Sequence, residues 1–287
     1  MAGRPDLSVI IVTFRSRRDI DACLDSVRDA LVDVASEIVV VDNASGDGTA
    51  EQARTHAGVT VIALDRNTGF GAGINAGLAA TSGRYVLWVN PDGRMLGGRV
   101  ADVLSWMDAH PDAGIIGGKV LDPGGAVQLS VRSFPSYDAA LGHRYSPLTR
   151  WFPNNPWSRR YLRTERAVDA VTRVDWVSGA FLLHRREVSD RLDGLDERFF
   201  MYVEDVDFCR RATDAGWTVW YHPGMVMEHA IGGSSRQVNR PMIIERHRSM
   251  WRYYQKHFHR FWLKDAVTWL GIWGRCGWLW MTAGLRR

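Results

Sequence analysis

The chain reads as an α/β protein built on a doubly wound, mostly parallel sheet, with a C-terminal amphipathic, aromatic-rich helical tail. Continuous apolar runs rich in β-branched residues, such as Leu7 to Thr13, alternate with segments of helical period, as βαβ units require. Acidic or amide residues close several of those runs, at the strand ends where open α/β sheets bind ligands. After about Pro241 the composition changes to arginine and tryptophan at helical spacing.

Leu7 to Thr13 fits a strand buried on both faces. From about Arg18 to Leu31 a helix follows, with Ile20, Leu24, Val27 and Leu31 on one face. Glu37 to Val41 is a second buried strand, running into Asp42-Asn43-Ala44-Ser45, and Asp47 or Thr49 offers a start for a short helix. Val59 to Leu64 is a third strand and Gly69 to Gly77 a glycine-rich turn leading into a helix. Arg84 to Val89 is a fourth strand, ending at Asn90-Pro91-Asp92, and Ala113 to Val120 a fifth. Ser133 to Glu165 carries Pro135, Pro147, Pro153 and Pro156 among aromatics and arginines, a long loop of the kind that is usually functional. Val174 to His184 is strand-like, the cluster Glu204-Asp205-Val206-Asp207 opens a helix to about Ala215, and Trp217 to Tyr221 and Met225 to Glu228 are short strands. The expected organisation is a nucleotide-binding half over 1–122, an acceptor-binding and catalytic half of the same domain over 123–240, and a tail over 241–287.

The 287 residues, 46% of them hydrophobic, can bury a full core. The scattered Cys23, Cys209 and Cys276 form no zinc spacing and no disulfide framework, and the polar start of the chain has no apolar stretch of a secretory signal. A reducing, cytoplasmic setting is expected. Between Arg236 and Arg287, eleven Lys or Arg stand against Glu245 and Asp265, a local charge of +9 within a chain of +4, so the rest carries −5. That asymmetry argues against nucleic acid as partner and for an anionic membrane surface. Arg248, Arg252, Lys256, Arg260 and Lys264 recur every fourth residue as a basic ridge, beside Trp251, Tyr254, Phe258, Phe261 and Trp262. Ala266 to Leu285 is apolar with Trp269, Trp273, Trp278 and Trp280, but Arg275 in its middle favours a helix lying in the interface over one spanning the bilayer. A helix docked on the domain is the alternative.

Candidate chemistry lies at the strand ends. Asp42 is placed to accept from a base N–H or a ribose hydroxyl, although Asp-Asn-x-Ser is also ordinary turn chemistry. Gly71-Ala72-Gly73-Ile74-Asn75-Ala76 satisfies a dinucleotide fingerprint literally, but it follows the third strand rather than the first, which argues against a nicotinamide cofactor. It reads as close backbone approach to a sugar-nucleotide, or as tight helix-on-sheet packing. In Asn90-Pro91-Asp92, proline projects Asp92 from a rigid position, where one carboxylate with diphosphate oxygens suffices for Mg2+ or Mn2+; a plain strand-to-turn corner fits equally. Acids at a helix start are favoured by the dipole, but the unbroken approach from Phe199 to Val203 points to a desolvated acid tuned toward a base. His229, before Gly232-Gly233-Ser234-Ser235, is a candidate metal ligand, or a structural histidine.

Taken in order, Val9-Ile10-Ile11-Val12-Thr13, Val41-Asp42-Asn43-Ala44-Ser45, Asn67-Thr68-Gly69-Phe70-Gly71, Asn90-Pro91-Asp92 and Phe200-Met201-Tyr202-Val203-Glu204-Asp205-Val206-Asp207 resemble family-two inverting glycosyltransferases of the GT-A fold, from Leu7 to roughly Arg260. Within them the chain is similar to bacterial rhamnosyltransferases, including the type that builds the arabinogalactan linker of actinobacterial walls. The resemblance implies that Thr13, Arg15, Asp42, Asn67, Gly69, Asn75, Asn90 and Asp92 hold the nucleotide-sugar, that Asp92 and His229 serve Mg2+ or Mn2+, and that Asp205, with Glu204, supplies the base. Trp176, Ser178, Gly179 and Asp207 would border the acceptor. Asn90 stands where relatives have the first acid of Asp-x-Asp, so metal binding rests more on Asp92; Arg15 stands where many have Asn, a departure that bears on what the loop after the first strand contributes to donor binding. The implied reaction moves L-rhamnose from dTDP-L-rhamnose to a polyprenyl-diphosphate-linked N-acetylglucosamine or similar saccharide at the cytoplasmic face of the membrane. Two rivals stay open: a sugar-nucleotidyltransferase, and a non-catalytic, membrane-docked nucleotide-sugar-binding protein.

Overall fold

A computed structural model describes residues 4–128, 130–135, 151–152, 169–230, 240–258 and 261–283. The first strand, β1 (Leu7–Thr13), is buried at every position. Its side chains alternate between two core layers: Leu7, Val9 and Ile11 face one, Ile10 and Val12 the other. That is why the run is continuously apolar instead of alternating. β1 pairs in parallel with β2 (Ser36–Asp42) on one side and β4 (Tyr85–Val89) on the other, and β2 pairs with β3 (Val59–Ala63).

Helix α1 (Ile20–Ala30) buries Ile20, Cys23, Leu24 and Val27, the expected face. In α2 (Thr49–Arg54) the carboxylate of Asp47 accepts from the Thr49 N–H at 3.1 Å, as a helix start requires. α3 (Phe70–Ala79) corrects the expected glycine-rich turn, because the glycines are the helix itself. A Cβ on Gly73 would lie 2.7 Å from Val12 and one on Gly77 2.5 Å from Ile10, so these glycines let α3 sit on β1. Helix-on-sheet packing therefore accounts for them.

Two elements between Asp92 and Ala113 were not expected. β5 (Gly93–Gly97) is short and flanked by glycine, with little strand signal. α4 (Val100–Ala109) was legible, since Val100, Val103, Leu104 and Met107 follow the helical period and are its buried residues. β6 (Ala113–Leu121) follows, then the short strands β7 (Val127–Gln128) and β8 (Val131–Arg132). The expected strand from Val174 to His184 is three pieces, β9 (Thr172–Val174), β10 (Trp176–Val177) and β11 (Phe181–Arg185). α5 (Arg186–Leu192) and α6 (Glu204–Asp214) come next. The two expected strands after α6 are one, β12 (Thr218–His229), with a register shift between His222 and Val226 around Pro223.

The main sheet runs β3-β2-β1-β4-β11-β6-β12-β5. β1, β2, β3, β4, β6 and β12 point one way; β11 and β5 point the other. β10 and β8 form a separate ribbon. α1 and α4 pack on one face of the sheet and α3, α5 and α6 on the other.

The tail is a helical hairpin. α7 (Arg240–His257) packs Tyr253 with Phe199 and Val206. α8 (Trp262–Thr282) returns along α7, tied by Tyr254 Oη to Asp265 Oδ1 at 2.7 Å and by Arg240 over the Trp280 ring at 4.3 Å. Among the described residues, no helix is long and apolar enough to cross a membrane. The basic ridge is corrected in part. Arg252 donates to the Arg198 carbonyl, and Lys256 pairs with Asp196 and Asp207, so both turn to the body. Arg248 pairs with Glu245 at 2.8 Å. Spacing by four defines a stripe but not which side of the helix meets protein. Arg260, Gly232 to Ser235 and most of the loop from Ser133 to Glu165 lie outside the described residues.

Candidate active site

The site forms at the carboxyl ends of β1, β2 and β4. Thr13 Oγ1 donates to Asp42 Oδ1 at 2.8 Å, and the Ser45 hydroxyl and N–H also donate to Asp42. Three internal donors hold the buried Asp42 carboxylate in one orientation and leave it spare acceptor capacity, since a carboxylate has about four lone-pair sites. Asp42, Gly46, Thr49 and Ala63 line an open cavity of about 1220 Å³ with Arg17 and Arg18 at its rim. Arg15 sits beside it with φ 57°, its N–H on Ser45 Oγ.

Asn43, which was quoted only as part of a motif, ties the next loop down. Its Nδ2 donates to the Gly69 carbonyl and its Oδ1 accepts from the Thr68 N–H, both at 2.8 Å. Asn67 Oδ1 accepts from the Gly69 N–H at 3.0 Å. Gly69 has φ +93°, and a Cβ there would lie 2.2 Å from the Phe200 carbonyl oxygen. That same carbonyl accepts from the Phe70 N–H at 2.9 Å. The donor-side loop is thus seated on the segment that delivers the acids. We predict that Gly69→Ala costs about 2–4 kcal/mol, from a disfavoured φ plus a backbone clash. A urea melt would check it, and a change under 0.5 kcal/mol would refute the contact. Asn75 is a correction: its amide bonds the Leu195 main chain on both sides and Glu197, so it is a clamp between α3 and the following loop.

Asp92 follows the β4 end in the turn closed by Gly93 N–H to the Asn90 carbonyl at 3.0 Å. β5 and β12 pair antiparallel with His229 opposite Gly93, which sets His229 Nε2 3.1 Å from Asp92 Oδ1. Gln128, which the sequence reading missed, orients this histidine. Its Nε2 donates to the His229 carbonyl at 2.6 Å, which turns its Oε1 toward His229 Nδ1 at 3.4 Å. In the tautomer with Nδ1–H directed at Gln128, the Nε2 lone pair would face the Asp92 carboxylate. Two acceptors meeting at that distance call for a cation or a proton between them, and a divalent ion fits this donor pair. Asn90 Nδ2 is 3.4 Å from His229 Nε2. Among the described residues, no group of three or more His, Cys, Asp or Glu side chains is placed to hold a metal. The rest of a coordination sphere would come from substrate oxygens and water.

The second acidic station reaches the first through consecutive residues. The Ala180 carbonyl accepts from the Asn90 N–H at 3.0 Å, and the Gly179 N–H donates to Asp205 Oδ2 at 2.8 Å. The break between β10 and β11, unforeseen in sequence, exists to make these contacts. Ser178 holds the β8 side, its N–H on the Ser130 carbonyl at 2.8 Å. Trp176 Nε1 donates to the Ser133 carbonyl at 3.0 Å, and the Arg132 guanidinium lies 5.8 Å from its ring centroid. Trp176, Ser178, Gly179 and Arg132 thus flank Asp205 on one side.

The three acids of α6 have three fates. Glu204 is buried, and its Oε2 has no partner among the described residues. Burial, then the Asp205 charge, raises its pKa well above the usual carboxylate range. Asp205 is only partly buried. Its pKa is also raised by burial, opposed by the N–H groups of Gly179 and Val206 and by the Arg132 charge. Asp207 corrects the expected acceptor-binding role. It is fully buried and bound by Arg211 Nε, Lys256 Nζ and His257 Nε2 at 2.8–2.9 Å. Burial works to raise its pKa, but the bonds from His257 and Lys256 and the Arg211 charge outweigh it and hold the carboxylate ionised. The turn before α6 is strained: Tyr202 and Val203 have φ 68° and 74° without being glycine. A β-branched residue there costs about 1–3 kcal/mol, a feature that clusters at working sites.

The family model of Glycosyl transferase family 2 matches residues 8–190. The chain is 30% identical over 275 residues to the N-acetylglucosaminyl-diphospho-decaprenol L-rhamnosyltransferase of Mycobacterium tuberculosis, covering 92% of this chain and 88% of that protein. It is 27% identical over 213 residues to a low-salt glycan biosynthesis hexosyltransferase of Haloferax volcanii, covering 72% of this chain and 61% of the other. Among solved structures, the mannosyltransferase PcManGT of Pyrobaculum calidifontis, in complex with GDP-Man and Mn2+, superposes with a TM-score of 0.59 at 19% identity, over 99% of this chain and 74% of that one. S. aureus TarS 1–349 superposes with a TM-score of 0.56 at 17% identity, over 94% and 80%. These superpositions establish the fold alone, of GT-A type. With the family match spanning most of the strand motifs and the relative covering nearly the whole chain, the protein belongs to glycosyl transferase family 2.

Proposed function

We propose that this glycosyltransferase moves L-rhamnose from dTDP-L-rhamnose, with inversion, to a polyprenyl-diphosphate-linked N-acetylglucosamine or a closely similar lipid-linked saccharide. The observation that carries the reaction type is the Asn90–Ala180–Gly179–Asp205 connection, which mounts a raised-pKa carboxylate beside the Asp92–His229 pair. The choice of sugar and acceptor is supported by the mycobacterial relative, an N-acetylglucosaminyl-diphospho-decaprenol L-rhamnosyltransferase.

In this reading Asp42 and Thr13 seat the nucleotide, and the loop Asn67 to Gly69 lies beside its sugar end. Asp205 accepts the proton of the acceptor hydroxyl as that oxygen attacks the anomeric carbon from the face opposite the leaving nucleoside diphosphate, which inverts the centre. Glu204, buried behind it, has its pKa pushed up by that burial and by the Asp205 charge, which works against a second negative charge on the attacking side. Asp92 and His229 would hold Mg2+ or Mn2+, which offsets the negative charge of the leaving diphosphate. Arg132 and Trp176 stand on the acceptor side, an aromatic face and a cation for a sugar that carries a diphosphate.

Incubation with dTDP-L-rhamnose and polyprenyl-diphosphate N-acetylglucosamine should release dTDP and give a disaccharide whose new linkage has the anomeric configuration opposite to the donor's. Release from another nucleotide-sugar alone would overturn the donor, and a retained configuration would overturn inversion.

The acceptor places the enzyme against the inner leaflet, and α8 is the surface proposed to meet it. Leu263, Val267, Leu270, Trp278 and Met281 are exposed along it, and Cys276 is its one buried residue. Because Arg252 and Lys256 face the body, binding should depend more on tryptophan than on charge. Trp269→Ser with Trp278→Ser is expected to weaken binding to anionic vesicles about tenfold or more, at ~1–2 kcal/mol per side chain. Sedimentation with vesicles in 0.1 and 0.5 M salt checks this. Binding that vanishes in salt but ignores both tryptophans would count against it.

A further inference from the structure

The strained turn at Tyr202 and Val203 persists only if its surroundings hold it, because a left-handed valine has no intrinsic preference for that conformation. α7 supplies those surroundings. Ser249 Oγ donates to the Met201 carbonyl at 2.9 Å, and Arg252 donates to the Arg198 carbonyl. The Arg246 guanidinium lies 4.7 Å from the centroid of the Tyr202 ring. Beyond the turn, Lys256 and His257 bind Asp207 in the first turn of α6, and Lys256 also holds Asp196 at 2.6 Å. Tyr253 packs against Phe199 and Val206. Contacts from one helix therefore bracket residues 198 to 207 on both sides of the strained pair, and Asp205 lies inside the bracket.

We propose that α7 is a positioning element for the catalytic base: Arg246 and Lys256, without touching substrate, hold the Tyr202–Val203 turn and so fix the aim of the Asp205 carboxylate. The proposal rests on Asp205 being the base. Its logic is geometric. A base misplaced by about 1 Å loses about 10²-fold in rate, far more than it loses in fold stability. The Asp42 and Thr13 part of the donor site is built from β1 and β2, away from α7, and the loop tied by Asn43 meets the bracketed segment through main-chain contacts at Phe200, so donor KM should change far less than kcat.

The test uses the full chain with Arg246→Ala, which removes an exposed cation and leaves the core intact, and separately with Lys256→Met. Hydrogen–deuterium exchange needs no substrate. Amides of residues 199–207 should exchange at least fivefold faster in both variants, with β1 and β4 unchanged. With dTDP-L-rhamnose and polyprenyl-diphosphate N-acetylglucosamine, kcat should fall about tenfold for Lys256→Met while the donor KM stays within twofold. Lys256→Arg should recover most of the loss. Unchanged exchange over 199–207 in both variants overturns the proposal. So does faster exchange across the whole sheet with donor KM and kcat failing together, which would make α7 mere scaffolding. If the wild-type protein does not turn over these substrates, the functional reading fails while the exchange data still decide on the positioning role.

Discussion

Asp205→Asn is expected to lower kcat by about 10²–10⁴, the usual contribution of a positioned general base. The substitution is close to isosteric, and the asparagine carbonyl can still accept from the Gly179 N–H that now orients the carboxylate. Donor binding, proposed to rest on the Asp42 and Asn43 network, should stay within about twofold by calorimetry. A pH profile gives an independent check. The base works ionised, so wild-type activity must rise with pH as Asp205 loses its proton, and burial shifts that rise to higher pH than an unburied aspartate would give. The variant should lose that limb. Near-normal turnover in Asp205→Asn would sink the assignment. Glu204 is a poor substitute, because it is buried and less exposed to an incoming hydroxyl than Asp205. Its linkage has the same origin: a carboxyl whose folded pKa is raised stabilises the fold at low pH, and that contribution is lost as pH rises through the raised value.

Asp92→Ala should remove metal-dependent donor affinity. In the wild type His229 Nε2 and Asp92 Oδ1 converge at 3.1 Å, a donor pair for a divalent ion, so such an ion is expected to strengthen dTDP binding. The variant should bind dTDP about tenfold or more weakly in Mg2+ or Mn2+, ~1.4 kcal/mol or above, and should respond little to chelator. Gln128→Leu is a finer probe. It frees the Nδ1 proton from its partner and should weaken the metal effect about tenfold, in line with the loss of a group that orients a ligand. Equal dTDP affinity with metal and with chelator in the wild-type protein would show that the site is not metallic.

How legible the site was depends on the kind of residue. Asp92 and Asp205 stand out in the sequence because each closes a pattern: the first ends an apolar strand at a proline corner, the second follows an unbroken aromatic approach to a helix. Gln128 and Asn43 act by orienting other groups, and a lone amide in a loop carries no sign of its partner. Gly73 and Gly77 showed that something approaches α3 closely, but not that it was β1.

By itself the sequence determined the parallel strands β1 to β4, their order with the helices, the family, and the strand ends where chemistry would gather. Those follow from local rules of period, burial and turn geometry that act within about ten residues. Only the tertiary structure decided the rest. β11 enters between β4 and β6 in the opposite direction, and an equally apolar strand fits either direction, so composition is silent on it. The three neighbouring acids of α6 separate into a buried, a partly exposed and an ion-paired carboxyl because partners arrive from Gly179, Lys256 and His257, remote in sequence. The basic stripe of α7 turns partly inward for the same reason. A charge is buried only where a distant opposite charge meets it, and periodicity records the stripe without recording the partner.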